Sequence, residues 1–210
     1  MREIWLIRHG KTYGNTLGRY IGTTDEPLCE EGRAELLKQQ YPKMDRIYRS
    51  PLLRCAETAA LLFPGVPERV VSGFRECDFG DFENKNYREL SGNPDYQSWI
   101  DSGGTLPFPG GESREAFIKR CEQGFYRMLI GIKGRLQKMD EKQPASKITA
   151  GAVVHGGTIM AILSSFYGGD YFDHQVKNGG GYRCLLSGTR EQPKLQGVEN
   201  IMGESEYVIP

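Results

Sequence analysis

Six short runs of apolar or alternating character recur along the chain: EIWLIR (Glu3–Arg8), DRIYRS (Asp45–Ser50), ERVVS (Glu68–Ser72), KITAGAVV (Lys147–Val154), GYRCLLS (Gly181–Ser187) and PKLQGVENI (Pro193–Ile201). Each has strand length and predicts a β-strand. Segments of helical period lie between them. CEEGRAELLKQQY (Cys29–Tyr41) places Ala34, Leu37 and Tyr41 on one face, and SPLLRCAETAALLF (Ser50–Phe63) begins with Ser50 as a cap and Pro51 at the first helical position. Ser113–Asp140 reads as a long amphipathic helix and GGTIMAILSSFYG (Gly156–Gly168) as another. Gly10–Pro27 reads as a loop, and GTREQ (Gly188–Gln192) as a turn joining the last two strands. The stretch Gly73–Glu112 breaks the pattern. It is rich in Gly and Pro and carries Phe79, Phe82, Tyr87, Tyr96, Trp99 and Phe108, with short helical pieces only near YREL and DYQSW. An irregular insertion of that length predicts a lid.

Alternating strands and helices predict an α/β chain: a three-layer α/β/α sandwich with a mostly parallel central sheet and a lid-like insertion at about 73–112, all in one domain over residues 1–210. Such sheets bind ligands outside the carboxyl ends of their strands. Arg8–His9, Ser50–Arg54 and His155–Gly157 all fall at such ends, so cations and imidazoles should gather on one rim.

Composition narrows the partners. Of 210 residues, 38% are apolar and 26% charged, which suits a folded soluble chain. Lys plus Arg and Asp plus Glu are 27 each, so there is no global attraction to nucleic acid or to a membrane. Affinity for an anion must come from local arginines. The apolar runs are too short for a signal peptide or a membrane span, which leads to the expectation of a cytoplasmic protein. Five cysteines without C-x-x-C spacing argue for separate reduced thiols rather than a disulfide framework or a metal site.

Three chemistries compete for the rim. Lys11–Thr12 resembles the end of a phosphate-cradling loop, but the first glycine that loop needs would stand at Trp5, and no helix follows Thr12 directly. Cys184 and Arg190 have the C-x5-R spacing of cysteine-dependent phosphatases, yet Glu-Gln-Pro follows, which suits a turn better than a helix start. Two of the three histidines, His9 and His155, each end an apolar strand and precede a glycine, so an anion can approach the backbone closely. The helix after His155 would aim its first amides at that anion. Arg54, in the first turn of its helix, opposes the helix dipole, a local penalty that a bound dianion would outweigh.

LIRHGKTYGN (Leu6–Asn15), YIGTTDEPLCEEG (Tyr20–Gly32), SPLLRCAET (Ser50–Thr58), FRECDFGDFE (Phe74–Glu83), PGGES (Pro109–Ser113) and VVHGGTI (Val153–Ile159) follow one another in an order that resembles the histidine phosphatase superfamily, which also contains cofactor-dependent phosphoglycerate mutases. The resemblance covers nearly the whole chain. It implies that His9 is the nucleophile, that Arg8, Arg54 and His155 clasp the phosphoryl oxygens, and that Asn15, Thr12, Gly22 and Gly156 complete the phosphate site. It further implies that Glu76 protonates the leaving oxygen, with Asp78 its rival two residues on, and that no metal or other cofactor is required. The substrate would be a small-molecule phosphate ester; a homodimer is allowed for. Thr12-Tyr13-Gly14-Asn15 replaces the mutases' Ser-x-Trp-Asn, which favours hydrolysis over the alternative, mutase-type transfer. A silent phospholigand binder would be expected to lack a pocket residue. Within the superfamily the spacing is most similar to α-ribazole-phosphate phosphatases and their broad-specificity relatives. Asn84 stands where those have glycine.

Overall fold

A computed structural model describes residues 2–140, 148–189 and 191–201. Chain order is β1 (Arg2–Arg8), α1 (Tyr13–Thr16), α2 (Glu30–Leu36), β2 (Arg46–Arg49), α3 (Leu53–Leu62), β3 (Glu68–Val70), α4 (Pro94–Asp101), α5 (Arg114–Asp140), β4 (Ile148–Val154), α6 (Gly156–Phe166), β5 (Gly181–Gly188) and β6 (Pro193–Asn200). Short 3-10 turns occupy Ser72–Phe74, Gly80–Phe82 and Tyr171–His174.

The six strands form one sheet in the order β3-β2-β4-β1-β5-β6. The first four are parallel, and β5 and β6 are antiparallel additions. Strand alternation sorts side chains to two faces. Ile4 and Leu6 of β1 meet Phe125 and Met128 of α5 and Ile159 and Ile162 of α6. Trp5 and Ile7 face the other way, with Cys55, Ala59 and Phe63 of α3 and its end. All seven residues of β4 are buried, as a strand covered on both faces requires. The insertion has its own cluster, Phe82, Leu90, Tyr96 and Phe108 against Phe117 and Cys121 of α5.

Parallel register builds the rim. Arg8 pairs with Val154 and Arg49 with Val153, so β1, β4 and β2 end side by side. His9 N–H donates to Val154 O at 3.0 Å, and Ser50 N–H to Val153 O at 3.1 Å. The residues just beyond, His9, His155 and Ser50, are thereby delivered together.

Several boundaries differ from the sequence expectation. α2 ends at Leu36 and buries Gly32 and Leu36, while Ala34 and Leu37 are exposed and Tyr41 is half-buried. Its contact face is set by close backbone approach: a Cβ on Gly32 would come within 2.2 Å of Lys11 O. Ser50 does not cap α3, which starts two residues later with Leu52 as an N-cap lacking a side-chain bond. The Ser50 hydroxyl accepts from Leu52 N–H at 3.3 Å and lies 2.8 Å from His155 Nε2. The loop after His9 contains the one-turn α1, and YREL forms turns rather than a helix. β3 is a three-residue exposed edge. Lys147 and Arg190 lie outside the described residues. Asn84 has φ 57, the left-handed conformation glycine would adopt most easily and Asn tolerates best among the rest. The departure from glycine thus preserves the backbone path, and Asn84 Oδ1 accepts from Arg19 Nη1 at 3.3 Å.

Candidate active site

The rim opens into a cavity of about 560 Å³. Its floor carries Arg8, His9, Asn15, Gly156 and Asn178, and Glu76 with aromatic residues of the insertion and of the Tyr171–His174 turn forms its walls.

His9 is 3% exposed. Its Nδ1 lies 2.7 Å from Gly10 O. A carbonyl only accepts, so Nδ1 carries the hydrogen and Nε2 keeps the lone pair. Burial, then the positive charges of Arg54 and Arg8, hold the imidazole pKa well below 6.5, so the ring is neutral near neutral pH. Gly10 is itself anchored: its N–H donates to Thr58 Oγ1 at 3.0 Å, and that hydroxyl donates to Arg54 O at 2.7 Å.

The T-x-x-N spacing of Thr12 and Asn15 is a reciprocal helix cap. Asn15 N–H donates to Thr12 Oγ1 at 3.3 Å and Thr12 N–H to Asn15 Oδ1 at 3.2 Å. Asn178 Nδ2 also donates to Asn15 Oδ1, at 3.2 Å, and to His9 O, at 3.1 Å. With Oδ1 so occupied, the Asn15 amide nitrogen is the end left to donate toward the cavity. Thr12 is fully buried and supports this arrangement from below.

Arg8 Nη1 donates to Val176 O at 2.7 Å, while Nε is buried without a partner among the described residues. Gly156 packs against this guanidinium; a Cβ there would lie 3.5 Å from Cζ. As the first residue of α6, Gly156 also brings an amide with no intrahelical acceptor.

Arg54 and His155 stand behind His9 rather than on the cavity surface. Arg54 is fully buried, donating to Thr24 O (2.8 Å), Gly22 O (3.0 Å), Ile21 O (3.2 Å) and His155 Nδ1 (3.3 Å). No carboxylate ion-pairs with it among the described residues, and its charge helps hold the His9 and His155 imidazoles below their ordinary pKa. His155, edge-on to His9 with centroids 5.1 Å apart, has Ser50 Oγ at Nε2 and Arg54 at Nδ1. Burial, then Arg54, lowers its pKa well below 6.5. Gly22 lies outside the cavity lining. Its N–H goes to Glu83 Oε1 at 2.8 Å, which also accepts from Thr24 N–H at 2.9 Å. Glu83 thus braces the loop whose carbonyls hold Arg54.

Glu76 lies in the cavity wall, Oε1 accepting from Cys77 N–H at 3.0 Å. Burial raises its pKa above the usual 4.5, against the opposing pull of that hydrogen bond, Arg54 and Arg8. Asp78, the rival acid, is turned into its own loop, accepting from Gly80 N–H at 3.0 Å, and does not line the cavity. Arg120 clamps the Glu76 loop to α5, donating to Gly73 O, Arg75 O and Glu76 O and pairing with Glu112 at 2.6 Å.

The two decoys dissolve. Lys11 pairs with Glu31 and Glu35 on the surface. Cys184 is buried in β5, where burial pushes its thiol up to about 12. His174 packs edge-on to Tyr182 with Nε2 2.7 Å from Gly168 O, a structural placement. Sequence reasoning missed Ser50 as the partner of His155, Thr58 beneath Gly10, Arg120 and Asn178. Only Asn178, a lone amide beside three glycines, gave a local signal. Among the described residues no group of three His, Cys, Asp or Glu side chains could hold a metal ion, and no helix is long and apolar enough to cross a membrane.

A neutral buried imidazole stands beside arginines at the carboxyl ends of a parallel sheet, an arrangement able to receive a phosphoryl group. The chain matches the histidine phosphatase superfamily (branch 1) over residues 4–199, and it belongs to that family. It is 32% identical over 134 residues to the adenosylcobalamin/alpha-ribazole phosphatase of Salmonella typhimurium, covering 60% of this chain and 66% of the relative, just under two thirds of that protein's length. It is 34% identical over 127 residues to a 2,3-bisphosphoglycerate-dependent phosphoglycerate mutase of Rhizobium etli, covering 54% of this chain and 60% of the relative. The alpha-ribazole phosphatase structure from Shigella flexneri shares the fold, with a TM-score of 0.71 at 23% identity over 92% of this chain and 94% of that one.

Proposed function

We propose that the protein is a phosphomonoesterase that works through a phosphohistidine on His9. The observation that carries this reading is the fixed tautomer: Gly10 O holds the Nδ1 hydrogen, so Nε2 is an unprotonated nucleophile on the cavity floor. Arg8, the Asn15 amide and the Gly156 N–H contact the phosphoryl oxygens, and Arg54 and His155 act from behind by charge and support. Attack forms the Nε2–P bond and breaks the bond to the leaving oxygen, which takes a proton from Glu76. Glu76, now a carboxylate, accepts a proton from the water that displaces phosphate and regenerates neutral His9. The raised pKa of Glu76 suits the first step, since the acid must enter it protonated.

The likeness to the Salmonella relative supports α-ribazole 5′-phosphate as a substrate, within a broader range of small phosphate esters. Five unpaired cysteines support a cytoplasmic setting. Rapid-quench trapping tests the chemistry: a base-stable, acid-labile phosphoprotein should form in the wild type and be absent from His9→Ala, together with turnover of p-nitrophenyl phosphate. Retained turnover in His9→Ala would sink the mechanism. Incubation with 3-phosphoglycerate and bisphosphoglycerate separates hydrolysis from the mutase reading that the Rhizobium relative supports: free phosphate is expected, and predominant isomerisation would reverse the assignment.

A further inference from the structure

The cavity is far larger than a phosphoryl group, and its outer wall carries a cation the reaction above does not use. Arg114, the first residue of α5, lines the cavity. Its guanidinium lies over two rings, with Cζ 5.7 Å from the centroids of both Tyr171 and Phe172. Among the described residues its one acceptor is Gly103 O, 3.4 Å from Nη1, a long contact. Among the described residues no carboxylate pairs with it. By contrast, Arg19, Arg33, Arg49 and Arg120 each pair with one carboxylate and Arg183 with two. The nearby Glu112 is committed to Arg120 by two bonds. A cation at the start of a helix also opposes the helix dipole, and the same position favours an anion.

Tyr171 sets the spacing. Its hydroxyl donates to Gly157 O at 3.4 Å, at the phosphoryl end, while its ring carries Arg114. Tyr171 thus links the Gly157 end of the cavity, by its hydroxyl, to the Arg114 end, by its ring. A guanidinium presents two parallel N–H donors, which match one carboxylate in geometry and charge. A second phosphate dianion would leave one negative charge uncompensated beside the Tyr171 and Phe172 rings.

We infer that Arg114 is a specificity-determining residue that binds a carboxylate carried on the leaving group, so that, within the broad range of phosphomonoesters, those whose alcohol or phenol carries a carboxylate beyond an apolar spacer are turned over more efficiently than their uncarboxylated analogues. This rests on the phosphatase reading. The test compares phenyl phosphate with 3- and 4-carboxyphenyl phosphate. In the wild type at least one carboxylated isomer should exceed phenyl phosphate by roughly tenfold in kcat/KM, through a lower KM, as one charge-assisted pair allows. Arg114→Gln should erase that ratio, and Arg114→Lys should keep part of it, with melting temperatures checking that both fold. The inference is overturned if neither isomer is preferred, or if the preference survives Arg114→Gln. Phenyl phosphate reads the chemistry separately: if the wild type does not hydrolyse it, or His9→Ala still does, the phosphatase reading fails and this inference with it.

Discussion

Thr58 is the smallest part on which the nucleophile depends. It is fully buried in α3, donates to Arg54 O at 2.7 Å and accepts from Gly10 N–H at 3.0 Å. Thr58→Val replaces the hydroxyl by a methyl of similar size, so no cavity opens. Arg54 O keeps its helical bond, but the Gly10 amide becomes a buried donor without an acceptor. That costs about 1–3 kcal/mol. For a chain of this length 1 kcal/mol moves Tm by roughly 2–4 °C, so a fall of roughly 2–12 °C is expected. Activity should fall as well, because Gly10 O fixes the hydrogen on His9 Nδ1 and loses its anchor. A displaced nucleophile can lose up to about a hundredfold in rate. Thermal melting and kcat/KM for p-nitrophenyl phosphate read the two effects, with Thr58→Ser, which keeps the hydroxyl, as the control. A Thr58→Val protein with wild-type Tm and wild-type kcat/KM would refute the reasoning. A Thr58→Ser protein as impaired as Thr58→Val would show that methyl packing matters rather than the hydrogen bond.

The pH profile of kcat/KM should be a bell. Activity falls on the acid side as His9 gains a proton below 6.5, and on the alkaline side as Glu76 loses its proton above 4.5. Glu76→Gln should lower the rate and abolish the alkaline limb, while inorganic phosphate still binds as a competitive inhibitor; an unchanged alkaline limb would remove Glu76 from the acid role. Gly22→Ala would set a Cβ 2.0 Å from Cys77 O, a backbone atom that cannot step aside, so a fall in Tm and a loosened Arg54 are expected. Wild-type melting of Gly22→Ala would contradict the close packing described.

The strand ends were legible because β1 and β4 are apolar runs that each stop at a histidine, and parallel register then brings His9 and His155 together. Charge logic likewise singled out Arg54, although its partners proved to be the carbonyls of residues 21–24, a contact no local pattern encodes. The Ser50-Pro51 signal placed the helix start two residues early: the Ser50 hydroxyl accepts from Leu52 N–H, the residue that precedes the helix, and also meets His155, a partner no local pattern encodes. The aromatics of the insertion divide between two roles. Phe82 and Tyr96 are core, Tyr87 lines the cavity, and Phe79, Trp99 and Phe108 do both, a division only packing decides. Asn178 was unreadable as a partner of His9 because nearly the whole chain separates them.

The central place of β1 has a kinetic consequence. Its parallel neighbour is β4 and its antiparallel neighbour is β5, so Arg2 meets Ile148 and Ile7 meets Gly181. A ribosome adding about 5–20 residues per second needs roughly 7–30 s to travel from β1 to β4. Through that interval the apolar EIWLI segment has neither sheet partner, a state of high contact order that slows folding and invites pairing with other nascent chains. Chaperone demand should therefore concentrate on this strand, and His9 is synthesised long before His155 and Asn178, which pack against it.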